Sequence, residues 1–447
     1  MAMLQEQHLY GYSVQQGRYQ ATEFPPRLFF RDQVTGRHFA IDHPTVFKNL
    51  LLLGGAGSGK TNVINQIVAQ VLEWNRSGQQ DGVSLIFDTK GDYITHPGFY
   101  RPGDVILGND RRYRQKSVTW NLFDEILADG DDPVDYEANA REIARVLFQD
   151  RGSQTQPFFA NAARDIFAHM LIYFIRRQRD VPERWTGQLN NGSFIAFLLR
   201  NTPAQFAQYF RLYPDMHGLL SYIGDGTSNQ ALGVFGELRS MLYDCFQGVF
   251  CQTPTAAQPS FSIRQAIRQK GGRSIFLLYD LSLGETMTPI YRLLVDLALK
   301  EALSGDANGH THLFLDELKL LPKVTHLQDA LNFGRSKQVS VVAGLQSVGQ
   351  IYTAYGKETG QVILGGFGSV IALNTGDHES RDYISHRFGP NVTAYRYETG
   401  SHAPLDRERD GFAVEQWHIQ QLKPGQAVVG LASQAAPFFF FFEKDRF

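Results

Sequence analysis

Asn49-Leu50-Leu51-Leu52-Leu53-Gly54-Gly55-Ala56-Gly57-Ser58-Gly59-Lys60-Thr61 is the stretch on which the fold turns. An apolar run stops at glycine, a glycine-rich loop follows, and beyond Lys60-Thr61 the residues Val63, Ile64, Ile67, Val68, Val71 and Leu72 recur at helical spacing. This pattern predicts strand, phosphate loop, helix. Glycines admit positive φ and let successive N–H groups approach phosphate oxygens at a helix N-terminus. Gly54, Gly55, Ala56, Gly57, Ser58, Gly59, Lys60, Thr61 and Asn62 are therefore the candidate nucleotide-binding residues. Lys60 is expected to reach the β- and γ-phosphates, and the Thr61 hydroxyl to ligate Mg²⁺.

Working outward, Val83 to Phe87 reads as a buried strand closing on Asp88, followed by Thr89-Lys90-Gly91-Asp92. In a parallel α/β sheet, functional groups gather at the carboxyl ends of strands, so Asp88 and Lys90 are expected near the nucleotide crevice or in a solvated turn. The phosphate-loop helix is expected to end near Gly78, and 104–108 to form another strand. His312-Leu313-Phe314-Leu315-Asp316-Glu317 runs a hydrophobic strand into two carboxylates, the Walker B pattern. There Asp316 would hold Mg²⁺ and Glu317 would polarise the attacking water. Val339 to Leu345 is one more buried strand, ending on Gln346, whose amide suits the γ-phosphate or the lytic water. Arg335 carries a guanidinium fork fit for a neighbour's γ-phosphate or for a surface ion pair. Strands are also expected at 370–374 and 426–430.

The 447 residues carry 43 Lys+Arg against 45 Asp+Glu, a net charge of −2. That balance argues against a protein coating nucleic acid, while leaving room for a local basic groove. Arg111-Arg112-Tyr113-Arg114-Gln115-Lys116 is the densest basic cluster, suited to gripping a nucleic-acid backbone or a neighbouring subunit, or to standing as a solvated loop. Cys245 and Cys251 have no histidines at zinc-ligand spacing and read as free thiols of a reducing compartment. No uninterrupted run of 18 apolar residues occurs, so no membrane span is expected.

Three further segments frame this centre. Residues 1–45 are expected to form a short β element with a hairpin turn at Asp32 to Arg37. From 131 to 262 helical spacing dominates, with Phe159, Ala163, Ile166, Phe167, Met170, Leu171 and Phe174 on one face, which predicts an all-α insertion. It divides the α/β region into 46–130 and 263–447, and Phe438 to Phe442 near the end is expected to be buried within that region or in a partner.

Taken together the motifs resemble those of the coupling ATPases of type IV secretion and conjugation, of the TraD and TrwB kind, in the FtsK/HerA branch of P-loop motors. The likeness is carried by Gly54 to Thr61, by Phe87 to Asp92 (with Thr89 and Asp92 as departures), by Trp120 to Glu125 and by Phe159 to Arg164. Leu315-Asp316-Glu317, Gly334-Arg335, Leu345-Gln346-Ser347, Tyr355-Gly356 and Gly376 to Ser385 follow in the family's order. The resemblance implies a RecA-like P-loop NTPase with a mostly parallel central sheet and an inserted all-α domain. It further implies a homo-hexameric ring coupling ATP hydrolysis, with Mg²⁺, to movement of DNA. On the same basis Arg335 would be an arginine finger across the subunit interface and Gln346 a γ-phosphate sensor. A relaxase or effector protein would be the cargo.

Family members usually begin with transmembrane helices. The sequence here shows none. Either the anchor lies outside this sequence, or a separate membrane or secretion-channel subunit supplies it as a partner, or the motor works free in the cytoplasm. The chain is expected to be cytoplasmic or peripheral at the cytoplasmic face of the inner membrane. The alternatives are a HerA-like cytoplasmic DNA pump working with a nuclease in repair or phage defence, and an ATP-gated docking platform that does not move along DNA.

Overall fold

Leu50 to Leu53 is apolar on both sides because it lies inside a sheet covered on both faces. The computed structural model describes residues 3–15, 24–77, 81–151, 157–305, 309–399 and 402–444. Its strands are β1 (Met3–Gly11), β2 (Pro26–Arg31), β3 (His38–Asp42), β4 (Leu50–Leu53), β5 (Gly82–Asp88), β6 (Val105–Gly108), β7 (Thr119–Trp120), β8 (Ser260–Phe261), β9 (Ser274–Leu278), β10 (His310–Leu315), β11 (Val339–Leu345), β12 (Ser369–Leu373), β13 (Pro390–Thr399), β14 (His402–Phe412), β15 (Gln426–Gly430) and β16 (Phe438–Phe441).

The main sheet runs in the order β16-β15-β12-β4-β11-β10-β5-β9-β6. From β12 to β6 every neighbouring pair is parallel, and β15 and β16 extend one edge antiparallel. The parallel strands therefore present their carboxyl ends, at Leu53, Asp88, Leu278, Leu315, Leu345 and Leu373, along one rim. This is the expected α/β class with a mostly parallel sheet.

Leu51 and Leu53 point into one core, Leu50 and Leu52 into the other. The first core continues without a break into the helices Pro133–Leu147, Phe158–Asp180, Asn191–Arg200 and Asn229–Cys245. Phe158–Asp180 is long and apolar enough, by length and composition, to cross a membrane, although charged residues interrupt its apolar sequence. Here 67% of its most apolar window is buried, against Pro133–Leu147 and Asn229–Cys245 among others. The chain leaves and re-enters the α/β part side by side, since β7 and β8 pair in parallel. Just beyond β7 lies Glu125, fully buried, which accepts hydrogen bonds from Trp120 Nε1 (2.9 Å), Ser262 Oγ (2.8 Å), Ile263 N (2.6 Å) and Arg264 N (3.1 Å). Burial pushes its carboxyl up to about 7 against these donors.

The second core is aromatic. Phe438, Phe440 and Phe442 point inward in strict alternation, Phe39 meets Phe440 edge-on at 4.6 Å, and Phe439 on the other face is 39% exposed. The run is thus half buried, as the period of a strand requires. Residues 26–42 form the expected hairpin, β2–β3. β1, in contrast, lies in a separate antiparallel sheet, β1-β13-β14, pairing Gln7 with Ala394. The phosphate-loop helix ends at Arg76 with Ser77 as its cap, and Gly78 lies outside the described residues.

Candidate nucleotide site

Three strand ends hold the glycine loop. Gly54 N donates to Leu345 O (3.0 Å) at the end of β11, Gly55 N donates to Asn374 O (2.8 Å) after β12, and Gly425 N donates to Ser58 O (2.8 Å) ahead of β15. Gly57 (φ 74°) and Gly59 (φ 101°) take the left-handed conformations that let the chain turn into the helix Lys60–Arg76. Ala56 and Gly57 form the exposed tip, whereas Ser58 and Lys60 are buried and Thr61 and Asn62 half-buried. The opening turn of this helix leaves N–H groups without intrahelical partners, directed out of its N-terminus as an anion requires. Lys60 Nζ folds back to donate to Gly54 O at 3.3 Å. Burial lowers its pKa, and the carboxylates of Asp316 and Glu317 oppose that shift. The Asn62 side chain, in the first turn of the helix, donates to the Glu443 carbonyl (3.1 Å).

Asp316 and Glu317 follow β10, two strands from β4. Burial raises the pKa of Asp316, with Lys60 and Lys90 acting the other way. Among the described residues, neither Asp316 Oδ1 nor Ser58 Oγ has a hydrogen-bond partner, although both are buried. Buried oxygens are rarely left so. A divalent cation with its water shell is a hard partner that a buried, unpartnered carboxylate oxygen such as Asp316 Oδ1 suits, so the chemistry of this carboxylate fits Mg²⁺. Gln346 Nε2 donates to Glu317 (3.1 Å to Oε2), and Lys319 Nζ stands 3.4 Å from Glu317 Oε1. The arrangement thus sets a buried lysine, a loop of amides and two carboxylates on one rim of the sheet. It can hold a polyphosphate and place a base beside it.

Over residues 38–429 the chain matches the family described as the type IV secretion-system coupling protein DNA-binding domain. It belongs to that coupling-protein family. Its fold is similar to that of the bacterial conjugative coupling protein TrwBdeltaN70 in an unbound form, with TM-score 0.72 and 22% identity over 98% of this chain and 94% of the other. Plasmid coupling protein TrwB in complex with ADP and Mg²⁺ is similar at TM-score 0.70 and 22% identity over 98% and 94% of the two chains. The same protein in complex with the non-hydrolysable ATP analogue ADPNP is similar at TM-score 0.70 and 21% identity over 100% and 96%. No curated protein matches the chain significantly.

Other candidate residues of this coupling-protein chain lie elsewhere. Arg335 is exposed and precedes β11, at the opposite end of that strand from Gln346. Asp88 is buried and its carboxylate is committed to the backbone, accepting from Lys90 N (3.0 Å), Gly91 N (2.7 Å) and Tyr93 N (3.2 Å). The Lys90 side chain is exposed, close enough to act on Lys60 and Asp316. In the basic cluster Arg112 pairs with Asp110 (2.7 Å) and donates to Lys90 O (2.6 Å), and Arg114 donates to Asn109 O (3.0 Å). These cations brace the loops after β5 and β6.

Three residues beside the site belong to no motif: Gly425, Asn374 and Lys319. Lys423-Pro424-Gly425 carried a turn signal, and Lys319 its position two residues beyond Glu317, but nothing local marks a turn or a lysine as part of a site.

Proposed function

We propose that the chain is an ATP-driven DNA translocase, hydrolysing ATP at the subunit interfaces of a ring to move DNA or a nucleoprotein. The observation that carries this is the glycine loop held by three strand ends beside two carboxylates, with Asp316 Oδ1 and Ser58 Oγ buried and without a hydrogen-bond partner among the described residues. Gly54 to Asn62 would cradle the triphosphate, and Lys60 would leave Gly54 O for the β- and γ-phosphates. Thr61 and Asp316 would hold Mg²⁺, which when bound neutralises charge on the phosphate oxygens. Glu317 takes a proton from the attacking water while the bond from the γ-phosphorus to the bridging oxygen breaks, releasing ADP and phosphate. Gln346 senses the γ-phosphate, and Arg335 completes the site of a neighbouring copy. In this reading 46–130 and 263–447 are halves of one nucleotide-binding domain, 131–262 is a helical insertion, 1–45 is a short β element, and a relaxase or effector and a membrane subunit are the protein partners.

The test is titration with ADPNP and Mg²⁺, and ATP turnover, for the parent and Lys60→Ala. The variant is expected to bind more than about tenfold more weakly and to lose turnover, since a charge-assisted contact to phosphate is removed. Turnover by Lys60→Ala equal to the parent's would overturn the reading.

A further inference from the structure

The turn after β5 holds one side chain out from the rim of the sheet. Asp88 closes the strand, and its buried carboxylate accepts from Lys90 N (3.0 Å), Gly91 N (2.7 Å) and Tyr93 N (3.2 Å), so the backbone wraps around it. Gly91 completes the turn in the left-handed region, at φ 72°. Arg112, itself paired with Asp110, reaches over from the loop after β6 and donates to Lys90 O (2.6 Å). The backbone of Lys90 is thereby fixed from two sides. Burying a carboxylate costs free energy that a merely solvated turn has no need to spend. The Lys90 side chain itself is exposed, and among the described residues nothing pairs with its ammonium.

Sheet register sets where that ammonium stands. Phe87 pairs with Leu315, so the next residues, Asp88 and Asp316, leave adjoining strands at the same level, about 4.8 Å apart between backbones. In the order β4-β11-β10-β5 the glycine loop rises on one side of Asp316 and Glu317 and the Lys90 turn on the other. The charge of Lys90 reaches both Asp316, whose anion it favours, and Lys60, which it repels, while Asp92 on the same turn acts on Asp316 in the opposite sense. Lys60 is the single cation of Gly54 to Asn62. A triphosphate brings more negative charge to that loop than a diphosphate does, and two carboxylates already stand beside it, so a second cation is what the site lacks.

We infer that Lys90 is a further phosphate ligand of the nucleotide site, one that touches the terminal phosphate of a triphosphate and has nothing to touch in a diphosphate. The inference rests on the reading of the glycine loop as a triphosphate site. An ammonium is a compact charge on a flexible stem, so Lys90 can meet the γ-phosphate from the β5 side while Lys60 meets the β- and γ-phosphates from the loop. Lys60 then serves both nucleotides, and Lys90 tells them apart.

Binding of ADPNP and of ADP, each with Mg²⁺, is measured by calorimetry on the full chain for the parent, Lys90→Met, Lys90→Arg and Lys116→Met. Lys116, exposed in the loop after β6, controls for the loss of one positive charge. Lys90→Met is expected to bind ADPNP at least about tenfold more weakly, the worth of a charge-assisted contact, and ADP within about twofold of the parent. Lys90→Arg is expected to keep most of the ADPNP affinity and Lys116→Met all of it. Retained ADP binding shows in the same experiment that the loop of Lys90→Met is intact. Equal losses for the two nucleotides, or none for either, overturn the inference and leave the phosphate loop in place. A parent that binds neither nucleotide overturns the reading of the loop, and the role of Lys90 with it.

Discussion

At Gly59 two constraints coincide. Its φ is 101°, and a Cβ there would stand 2.8 Å from Gly425 N, the amide that closes the loop on Ser58. Gly57 shares the positive φ (74°), but a Cβ on it would meet nothing within 4 Å. Gly57→Ala is expected to cost about 1 kcal/mol of backbone strain. Gly59→Ala must in addition push the 423–425 turn away, and should weaken ADPNP binding by more than about tenfold in calorimetry, far more than Gly57→Ala. Glu125 is constrained by chemistry. Each of its oxygens accepts two donors, so an amide in Glu125→Gln turns a donor toward two donors. The variant should lose about 2–4 kcal/mol in urea unfolding through buried groups left unmatched.

At the scale of elements, the amino end of β10 carries a different burden from its carboxyl end. His310 and His312 are buried there against Trp74 (4.4 and 5.1 Å between ring centres), and Phe47 stacks on His312. Burial lowers the His310 pKa to about 4, with Asp81 opposing, and holds His312 well below its usual range. The unfolded chain therefore binds more protons below pH 6.5. Stability is full above that pH and falls as pH drops toward 4, by on the order of 3 kcal/mol for His310 alone. Urea midpoints between pH 7 and 5 should decline less in His310→Phe than in the parent. The same strand shows what could be read in advance. Apolar runs ending on glycine, carboxylate or amide were legible at β4, β5, β10 and β11, because burial on both faces and function at the carboxyl rim leave local marks. The pairing of β1 with β13 and the closure of Gly425 on Ser58 were not, since partners nearly four hundred residues apart share no local pattern. β13 and β14 carry Arg396, Arg407 and Glu408 because one small sheet buries little, so their sequence has no run of apolar residues to mark them.

Across the whole molecule, the position of Arg335 decides how many chains a working site needs. β11 has seven residues, so at about 3.3 Å each Arg335 stands roughly 20 Å from the rim that carries Gln346, Glu317 and the glycine loop. No side-chain rotation spans that distance. Phe333, two residues before it, is 65% exposed, which marks the same end of β11 as a surface able to meet another copy. If Arg335 takes part in hydrolysis, it therefore does so on a neighbour's triphosphate. Lys60→Ala and Arg335→Ala are each expected to be inactive alone. In rings assembled from an equal mixture, a site is complete only when an Arg335→Ala chain holds the nucleotide and a Lys60→Ala chain supplies the arginine. Random mixing makes about one site in four complete in a closed, head-to-tail ring. Turnover of the mixture should then recover to about a quarter of the parent's per chain, provided neighbouring sites fire independently. Because both parents of the mixture are inactive, any recovery has to come from shared sites. An Arg335→Ala protein that keeps full turnover alone, or a co-assembled mixture as dead as its components, would remove Arg335 from the reaction and leave the single-chain rim to account for all of it.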